Sequence, residues 1–206
     1  MVDFAIEPAR TALVIIDLQS CFVEGSPVSA PEGPLVLERL NRLAAVCRAR
    51  GIRVIHTAHV VRADGSNTGV MGEIIPPVRQ GIINEGAATA AFHKGLKIEP
   101  GDIVVHKPRF GAFHGTDLEL ILRSNGIDTV IIGGIATNVC CETTAREANV
   151  RDFRVLFLRD GTATFGLPDL GMGPMTAAEV QKATCSTLAL AFAQVLSVEE
   201  TISKIG

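Results

Sequence analysis

Residues 11–17 read TALVIID, a run of apolar side chains that ends in one carboxylate. A short run that is apolar at successive positions is typical of a strand buried on both faces of a parallel sheet. Residues 34–50 follow, with Leu37, Leu40 and Ala44 on one helical face, before Gly51 ends the segment. The order of strand and then amphipathic helix predicts a βα unit, the building block of parallel sheets.

The same alternation recurs along the chain and predicts six strands with helices on both faces of one sheet. We therefore expect a three-layer α/β/α fold in a single domain over residues 1–206. The connection over 59–101 is too long for a simple crossover, which indicates a lid or an interface segment that carries specificity. The later predicted strands cover 53–58, 102–107, 129–133, 154–158 and 194–196, and the later helices cover 116–125, a segment from about 138, and 176–192.

Composition excludes several classes of protein. The 206 residues are 47% hydrophobic with a net charge of -3, so a disordered chain is excluded. The 19 Lys and Arg residues are scattered and Trp and Tyr are absent, which argues against a nucleic-acid partner. No apolar run reaches the ~20 residues of a membrane helix. With no export signal and an odd count of five Cys, free thiols in the cytoplasm are expected.

Three residues with side chains suited to catalysis lie at or just after the ends of predicted strands. Asp17 closes the first strand, Lys107 ends the third, and Cys140 follows the fourth where a helix begins. The positive end of that helix is expected to stabilise a thiolate at Cys140. Each residue alone has an ordinary alternative: a turn or capping carboxylate, a solvated lysine, or an inert buried thiol. Because carboxyl ends of parallel strands meet at one edge, together they predict a carboxylate, a cation and a nucleophile in one site.

Three motifs carry a resemblance to a known family. They read ALVIIDLQSCF at 12–22, HKPRFGAFHGTDLELILRSNGID at 106–128 and GGIATNVCCETTAREA at 133–148. With these motifs the sequence resembles the isochorismatase-like cysteine hydrolase superfamily over about residues 11–202. The third motif is the most specific, and within it the pattern A-T-N-x-C selects Cys140 over Cys141, leaving Cys141 to pack under the helix.

The resemblance implies a fold and roles for the three residues. It implies a six-stranded, mostly parallel, Rossmann-like sheet in the order 3-2-1-4-5-6. It also implies that Asp17 takes the thiol proton and that Cys140 attacks a carbonyl carbon. Lys107 would be the cation that holds the carboxylate and the thiolate ready for reaction. A cis peptide before Ala136 would point the amides of Ala136 and Cys140 together as an oxyanion hole.

The resemblance further implies a substrate pocket with aromatic walls and a few polar contacts. Arg109 suits a substrate carboxylate because a guanidinium pairs well with that group. Core packing for the aromatic residues and solvent or salt-bridge contacts for Arg109 remain equally open. The expected walls are Phe22, Phe110 and Phe113, and the expected polar contacts are Gln19, Arg109 and Thr137.

Metal and cofactor sites are not expected. Nicotinamidases of the family bind a metal through an Asp and His residues after strand two, but here residues 56–62 read HTAHVVR without that Asp. His56 and His59, three apart on a strand, leave from opposite faces and are poor joint ligands. His93, His106 and His114 have no relay partner at motif spacing, and a phosphate-binding glycine motif is missing.

The resemblance implies a cysteine-dependent hydrolase that cleaves a C–N bond of a small amide, carbamoyl or ureido compound through a thioester-type intermediate. An isochorismatase-type vinyl ether hydrolase and a catalytically silent scaffold remain as alternatives. The expected partners are the small-molecule substrate and further copies of the chain, as a dimer or tetramer, without nucleic acid or membrane.

Overall fold

Six parallel strands form one sheet in the order β3-β2-β1-β4-β5-β6, which confirms the predicted order. The computed structural model describes residues 2–206. Each predicted strand is present, and β6 has the predicted bounds. The strands are β1 (Thr11–Ile16), β2 (Arg53–His59), β3 (Ile103–Lys107), β4 (Thr129–Ile135), β5 (Arg154–Ala163) and β6 (Gln194–Leu196).

Helices cover both faces of this sheet. A 3₁₀ turn (Pro8–Arg10) precedes β1, and a π-helical turn (Thr137–Cys141) connects β4 to the next helix. In chain order the helices are α1 (Ser20–Val23), α2 (Gly33–Ala49), α3 (Met71–Ile74), α4 (Pro76–Arg79), α5 (Leu118–Ser124), α6 (Glu142–Asn149), α7 (Ala177–Ala191) and α8 (Val198–Ile205). Among residues 2–206, no helix has the length and apolar character needed to cross a membrane.

Strand β1 shows how the sheet divides the core in two. Its side chains alternate between the faces, as strand geometry requires. Ala12, Val14 and Ile16 pack in a cluster with residues of α5, α6 and α7, whereas Leu13 and Ile15 pack with α2 and α8. The sheet therefore lies between two helical layers, and the predicted three-layer architecture is confirmed.

A glycine allows β1 and β4 to approach closely. Gly134 has a φ of 134° and pairs in register with Ile16, and a Cβ at Gly134 would lie 2.1 Å from the Ile16 carbonyl oxygen. A side chain there is excluded because it would collide with backbone. Asp17, directly after β1, is thereby held beside the turn that follows β4.

The long connection over 59–101 is a packed segment beside the strand ends. It contains α3 and α4, and a small cluster of Cys21, Val61, Met71, Val78 and Ile83 joins it to α1. The segment thus contributes apolar side chains at the edge of the sheet where the candidate residues lie.

Candidate active site

Asp17 is a fully buried carboxylate whose two oxygens have separate partners. The Thr57 hydroxyl donates to Oδ1 at 2.6 Å, and the Lys107 ammonium lies 2.7 Å from Oδ2. The backbone N–H of Asp17 bonds the Thr57 carbonyl oxygen at 3.1 Å, and its φ is 52°. Strands β1 and β2 therefore fix the position of this carboxylate, as burial of a charge requires.

Lys107 is fully buried, and its ammonium connects the carboxylate to the thiol. Nζ donates to the carbonyl oxygens of Arg109 at 3.0 Å and Phe110 at 2.9 Å, and lies 3.5 Å from Cys140 Sγ. Burial alone would lower the pKa of Lys107, but the negative charge of Asp17 and the Cys140 sulfur outweigh it, so the pKa is raised. The side chain therefore remains an ammonium.

Cys140 is 5% exposed and lies on the π-helical turn after β4. Burial raises the pKa of its thiol to about 12, with the Asp17 charge adding to this effect and the Lys107 charge opposing it. Desolvation thus outweighs the Lys107 ammonium, which favours a protonated sulfur at rest over the expected thiolate.

The turn around Cys140 contains the cis peptide bond that the resemblance implied. This bond joins Ile135 to Ala136. The carbonyl oxygen of Ala136 accepts hydrogen bonds from the N–H groups of Val139 and Cys141. Ala136 and Cys140 both line one cavity, and an oxyanion hole formed by their amides stays a prediction.

A cavity of about 110 Å³ lies directly against Cys140. Three of its walls are aromatic: Phe22, Phe110 and Phe165. Two of these, Phe22 and Phe110, are at positions expected to form walls, whereas Phe165 lies in a loop without a predicted role. The connection over 59–101 supplies five further lining residues, namely Ile75, Pro77, Val78, Ile82 and Ile83.

Three expected contact residues lie elsewhere because other groups hold their side chains. The Gln19 amide bonds the carbonyl oxygens of His59 and Ala90 and the N–H of His59, so it fastens α1 to neighbouring backbone. The Thr137 hydroxyl donates to Gln181 at 2.6 Å. Phe113 packs on Phe153 at 5.8 Å between ring centroids. None of the three lines the cavity, and their expected contact with a substrate stays a prediction.

Arg109 is also directed away from the cavity. Its guanidinium donates to the carbonyl oxygens of Asn67 at 2.9 Å and Pro108 at 2.6 Å. These bonds hold the polypeptide around Asn67 against the end of β3. Arg109 does not line the cavity, and its expected pairing with a substrate carboxylate stays a prediction.

His59 is the residue in the cavity that sequence reasoning missed. Its ring is 2% exposed, packs edge-to-face on Phe110 at 5.7 Å, and lines the cavity with Nε2 unpartnered among residues 2–206. Burial lowers its pKa to about 3, and the nearby Lys107 charge acts in the same direction. The ring is therefore neutral. The sequence signal that could have placed His59 in the cavity was its position at the end of β2.

The residues do not fit the metal site known from nicotinamidases of the family. His56 bonds Asp102 at 3.0 Å, away from His59, so the two rings have different surroundings. Asp17, His59 and Cys140 do offer ligand atoms within 4.8 Å of one another. The Lys107 ammonium, however, contacts two of these groups, and a divalent cation there would be repelled. The absence of a metal remains a prediction.

The remaining cysteines and histidines are outside the cavity. Cys141 is fully buried in the core under α6, as expected, and all five cysteines are free. His93 pairs with Glu24 at 2.9 Å, and His106 is exposed on the face of β3 opposite to Lys107.

Comparisons with known proteins agree with this geometry. Ureidoacrylate amidohydrolase RutB of Methylorubrum extorquens is 35% identical over 217 residues, covering 95% of this chain and 86% of that protein. Nicotinamidase 3 of Arabidopsis thaliana is 30% identical over 191 residues, covering 92% of this chain and 85% of that protein. A cysteine hydrolase structure from Pseudomonas syringae pv. phaseolicola has a TM-score of 0.96 at 35% identity, covering 99% of this chain and 96% of that one.

A family model described as the Isochorismatase domain matches residues 11–200. This match spans all six strands together with Asp17, Lys107 and Cys140. The chain belongs to the isochorismatase-like cysteine hydrolase family.

Proposed function

We propose that the protein is a cysteine-dependent hydrolase that cleaves the C–N bond of a small amide, carbamoyl or ureido compound. One observation carries the proposal: the Cys140 sulfur lines an apolar cavity and is also in contact with the Lys107–Asp17 ion pair. A nucleophile, a proton acceptor and a fixed cation are then within reach of one bound carbonyl group. The amidohydrolase and nicotinamidase names of the relatives support this class of reaction.

In the first step, the Cys140 sulfur adds to the substrate carbonyl carbon as its proton passes to Asp17. The raised thiol pKa favours this order, because the proton leaves only when the new S–C bond forms. Lys107 holds the carboxylate and stabilises the negative charge that develops on sulfur. The carbonyl oxygen becomes an oxyanion and receives hydrogen bonds from the amides of Ala136 and Cys140.

The C–N bond then breaks, and Asp17 returns the proton to the leaving nitrogen, which departs as ammonia or an amine. In the second step, water attacks the thioester while Asp17 takes its proton. The C–S bond breaks, the acid is released, and the proton returns to sulfur. The balanced reaction is amide plus water to acid plus ammonia, without a redox partner.

His59 supplies the remaining polar contact within the cavity. Its Nε2 is buried without a partner among residues 2–206, and a neutral imidazole nitrogen either donates or accepts one hydrogen bond. Nε2 is therefore available to a polar group of a bound amide or ureide.

The two alternatives make different products or none. A vinyl ether hydrolase of the isochorismatase type would release pyruvate and would have no use for the sulfur. A silent scaffold would release nothing. The presence of all three groups in contact favours thiol chemistry over both.

The test is an ammonia-release screen over primary amides, carbamates and ureides, with the Cys140→Ala variant as the blank. We expect ammonia in at least one class of compound at rates far above the blank. Pyruvate from isochorismate without any ammonia would establish the ether hydrolase instead. If no compound gave product above the blank, the catalytically silent scaffold would be the remaining alternative.

The proposal includes two further expectations, one about the cellular compartment and one about the oligomeric state. Five free cysteines suit a reducing compartment such as the cytoplasm. Exposed apolar side chains on the 167–175 loop and on α7, including Leu170, Met172 and Leu190, suit contact with further copies of the chain. Analytical ultracentrifugation of the purified protein would distinguish a monomer from a dimer or tetramer.

A further inference from the structure

The substrate cavity has no charged wall. Its lining consists of twelve apolar residues together with His59 and Cys140, and among residues 2–206 no Lys, Arg, Asp or Glu belongs to it. An unpaired carboxylate placed in such surroundings loses its hydration without gaining a partner. The cavity therefore disfavours an acidic substrate.

Neither Lys107 nor Arg109 provides a positive charge on the cavity wall. Lys107 directs its ammonium to Asp17, to two backbone carbonyl oxygens and to the catalytic sulfur, so its three N–H donors are engaged. Arg109 donates from Nη1 to the carbonyl oxygens of Asn67 and Pro108, and it is not among the residues that line the cavity.

His59 cannot supply the missing positive charge. Its ring is held neutral by burial and by Lys107, and Nε2 is unpartnered among residues 2–206. A neutral imidazole offers a hydrogen bond to a bound amide but no charge to compensate a carboxylate.

The geometry points to a neutral primary amide or ureide with a compact, apolar side chain as the substrate. This inference rests on the proposed function and narrows its substrate class. The carbonyl group would contact Cys140 and the Ala136 amide, the N–H would face His59, and the apolar part would contact Phe22, Phe110 and Ile82. An apolar cavity of about 150 Å³ holds benzene, so about 110 Å³ suits a side chain of about four or five heavy atoms.

This substrate class differs from that named for the RutB relatives, because ureidoacrylate contains a carboxylate. In this chain, residues 75–83 of the long connection contribute only apolar side chains to the cavity. Substrate charge is therefore the property that the experiment must vary.

A matched pair of amides isolates that property. 4-Methylpentanamide and succinamate have the same chain length and the same reacting carboxamide, and an isopropyl group in one replaces the carboxylate in the other. We expect kcat/KM for ammonia release to be at least about 100-fold higher with 4-methylpentanamide, because succinamate must bury an unpaired charge. Cys140→Ala again serves as the blank.

A variant tests whether this cavity is the source of the preference. Ile82 is half-buried, so Ile82→Arg places a cation at the wall while its long side chain still reaches water. We expect this variant to raise kcat/KM for succinamate at least about tenfold and to lower it for 4-methylpentanamide. The matched control, Ile82→Met, should leave the ratio of the two values within about threefold of the original.

The outcomes separate this inference from the proposed function. Cys140-dependent turnover with equal or greater preference for succinamate overturns the substrate class and leaves the hydrolase standing. An unchanged preference in Ile82→Arg also overturns it, since the substrate would then bind elsewhere. Absence of Cys140-dependent ammonia from both amides and from the full screen overturns the hydrolase itself.

Discussion

The Lys107 ammonium lies 2.7 Å from the Asp17 carboxylate, and both side chains are completely buried. Each charge has further partners, Thr57 on the carboxylate and two backbone carbonyl oxygens on the ammonium. A buried pair of this kind is costly to break, because removal of one member leaves the other charge without compensation. The pair therefore affects folding as well as reaction, and the two effects are separable by experiment.

Lys107→Met should lower the free energy of unfolding by about 3–5 kcal/mol at pH 7, because the Asp17 charge stays buried and unpaired. Adding Asp17→Asn should restore part of that loss. Urea unfolding of the single and double variants measures both values. Equal losses in Lys107→Met and in the double variant would contradict the coupling.

The same pair predicts how stability depends on alkaline pH. The pKa of Lys107 is raised in the folded state. The contribution of its charge to the free energy of unfolding is therefore fully present below the ordinary lysine pKa of 10.5. The contribution is lost as pH rises through the raised value. Urea unfolding above pH 10 should show this fall, and the Asp17→Asn/Lys107→Met double variant should show a smaller one.

Asp17→Asn should have opposite effects on turnover and on thiol reactivity. Loss of the proton acceptor should reduce kcat/KM by about 10²- to 10⁴-fold. The Asp17 charge raises the pKa of Cys140, so its removal should lower that pKa and speed alkylation at pH 8. Iodoacetamide kinetics, followed by peptide mass spectrometry at Cys140, would show this. Slower alkylation would mean that the carboxylate promotes ionisation of the free thiol.

His59 should affect kcat/KM, but its titration should not appear in the pH dependence of kcat/KM. Its pKa is lowered to about 3, so kcat/KM should show no inflection near pH 6.5. His59→Ala should lower kcat/KM about tenfold to 100-fold through loss of the hydrogen bond, and His59→Gln, which retains a hydrogen-bonding group, should lose less. An inflection near pH 6.5 that vanishes in His59→Gln would show that the imidazole titrates during turnover.

The sheet and the three central residues were predictable because local pattern determines them. Apolar runs defined the strands, and the carboxyl ends of parallel strands necessarily meet at one edge. β5 extends to Ala163, beyond its predicted end at Leu158, because pairing with β4 resumes after a register shift. Helix α8 was missed although its capping box, Ser197 with Glu200, is readable in the sequence.

The side-chain contacts and protonation states around the cavity were less predictable, because they depend on residues that are distant in the sequence. Nothing near Gln19 in the sequence shows that its amide bonds backbone at His59 and Ala90. The protonation of Cys140 likewise depends on how deeply the fold buries it, and the helix end indicated the opposite. His59 was considered only as a metal ligand with His56, so its place beside the sulfur was overlooked.

The adjacent thiols provide the most direct test of the central claim, that the Cys140 sulfur is the nucleophile. Cys140 contacts Lys107 and the cavity, whereas Cys141 is fully buried in the core. Ammonia release from the best amide should be measured in Cys140→Ala and Cys141→Ala, with folding checked by circular dichroism. We expect a loss of at least about 10⁴-fold in Cys140→Ala and turnover close to that of the original protein in Cys141→Ala. Substantial turnover by a folded Cys140→Ala protein would contradict the claim.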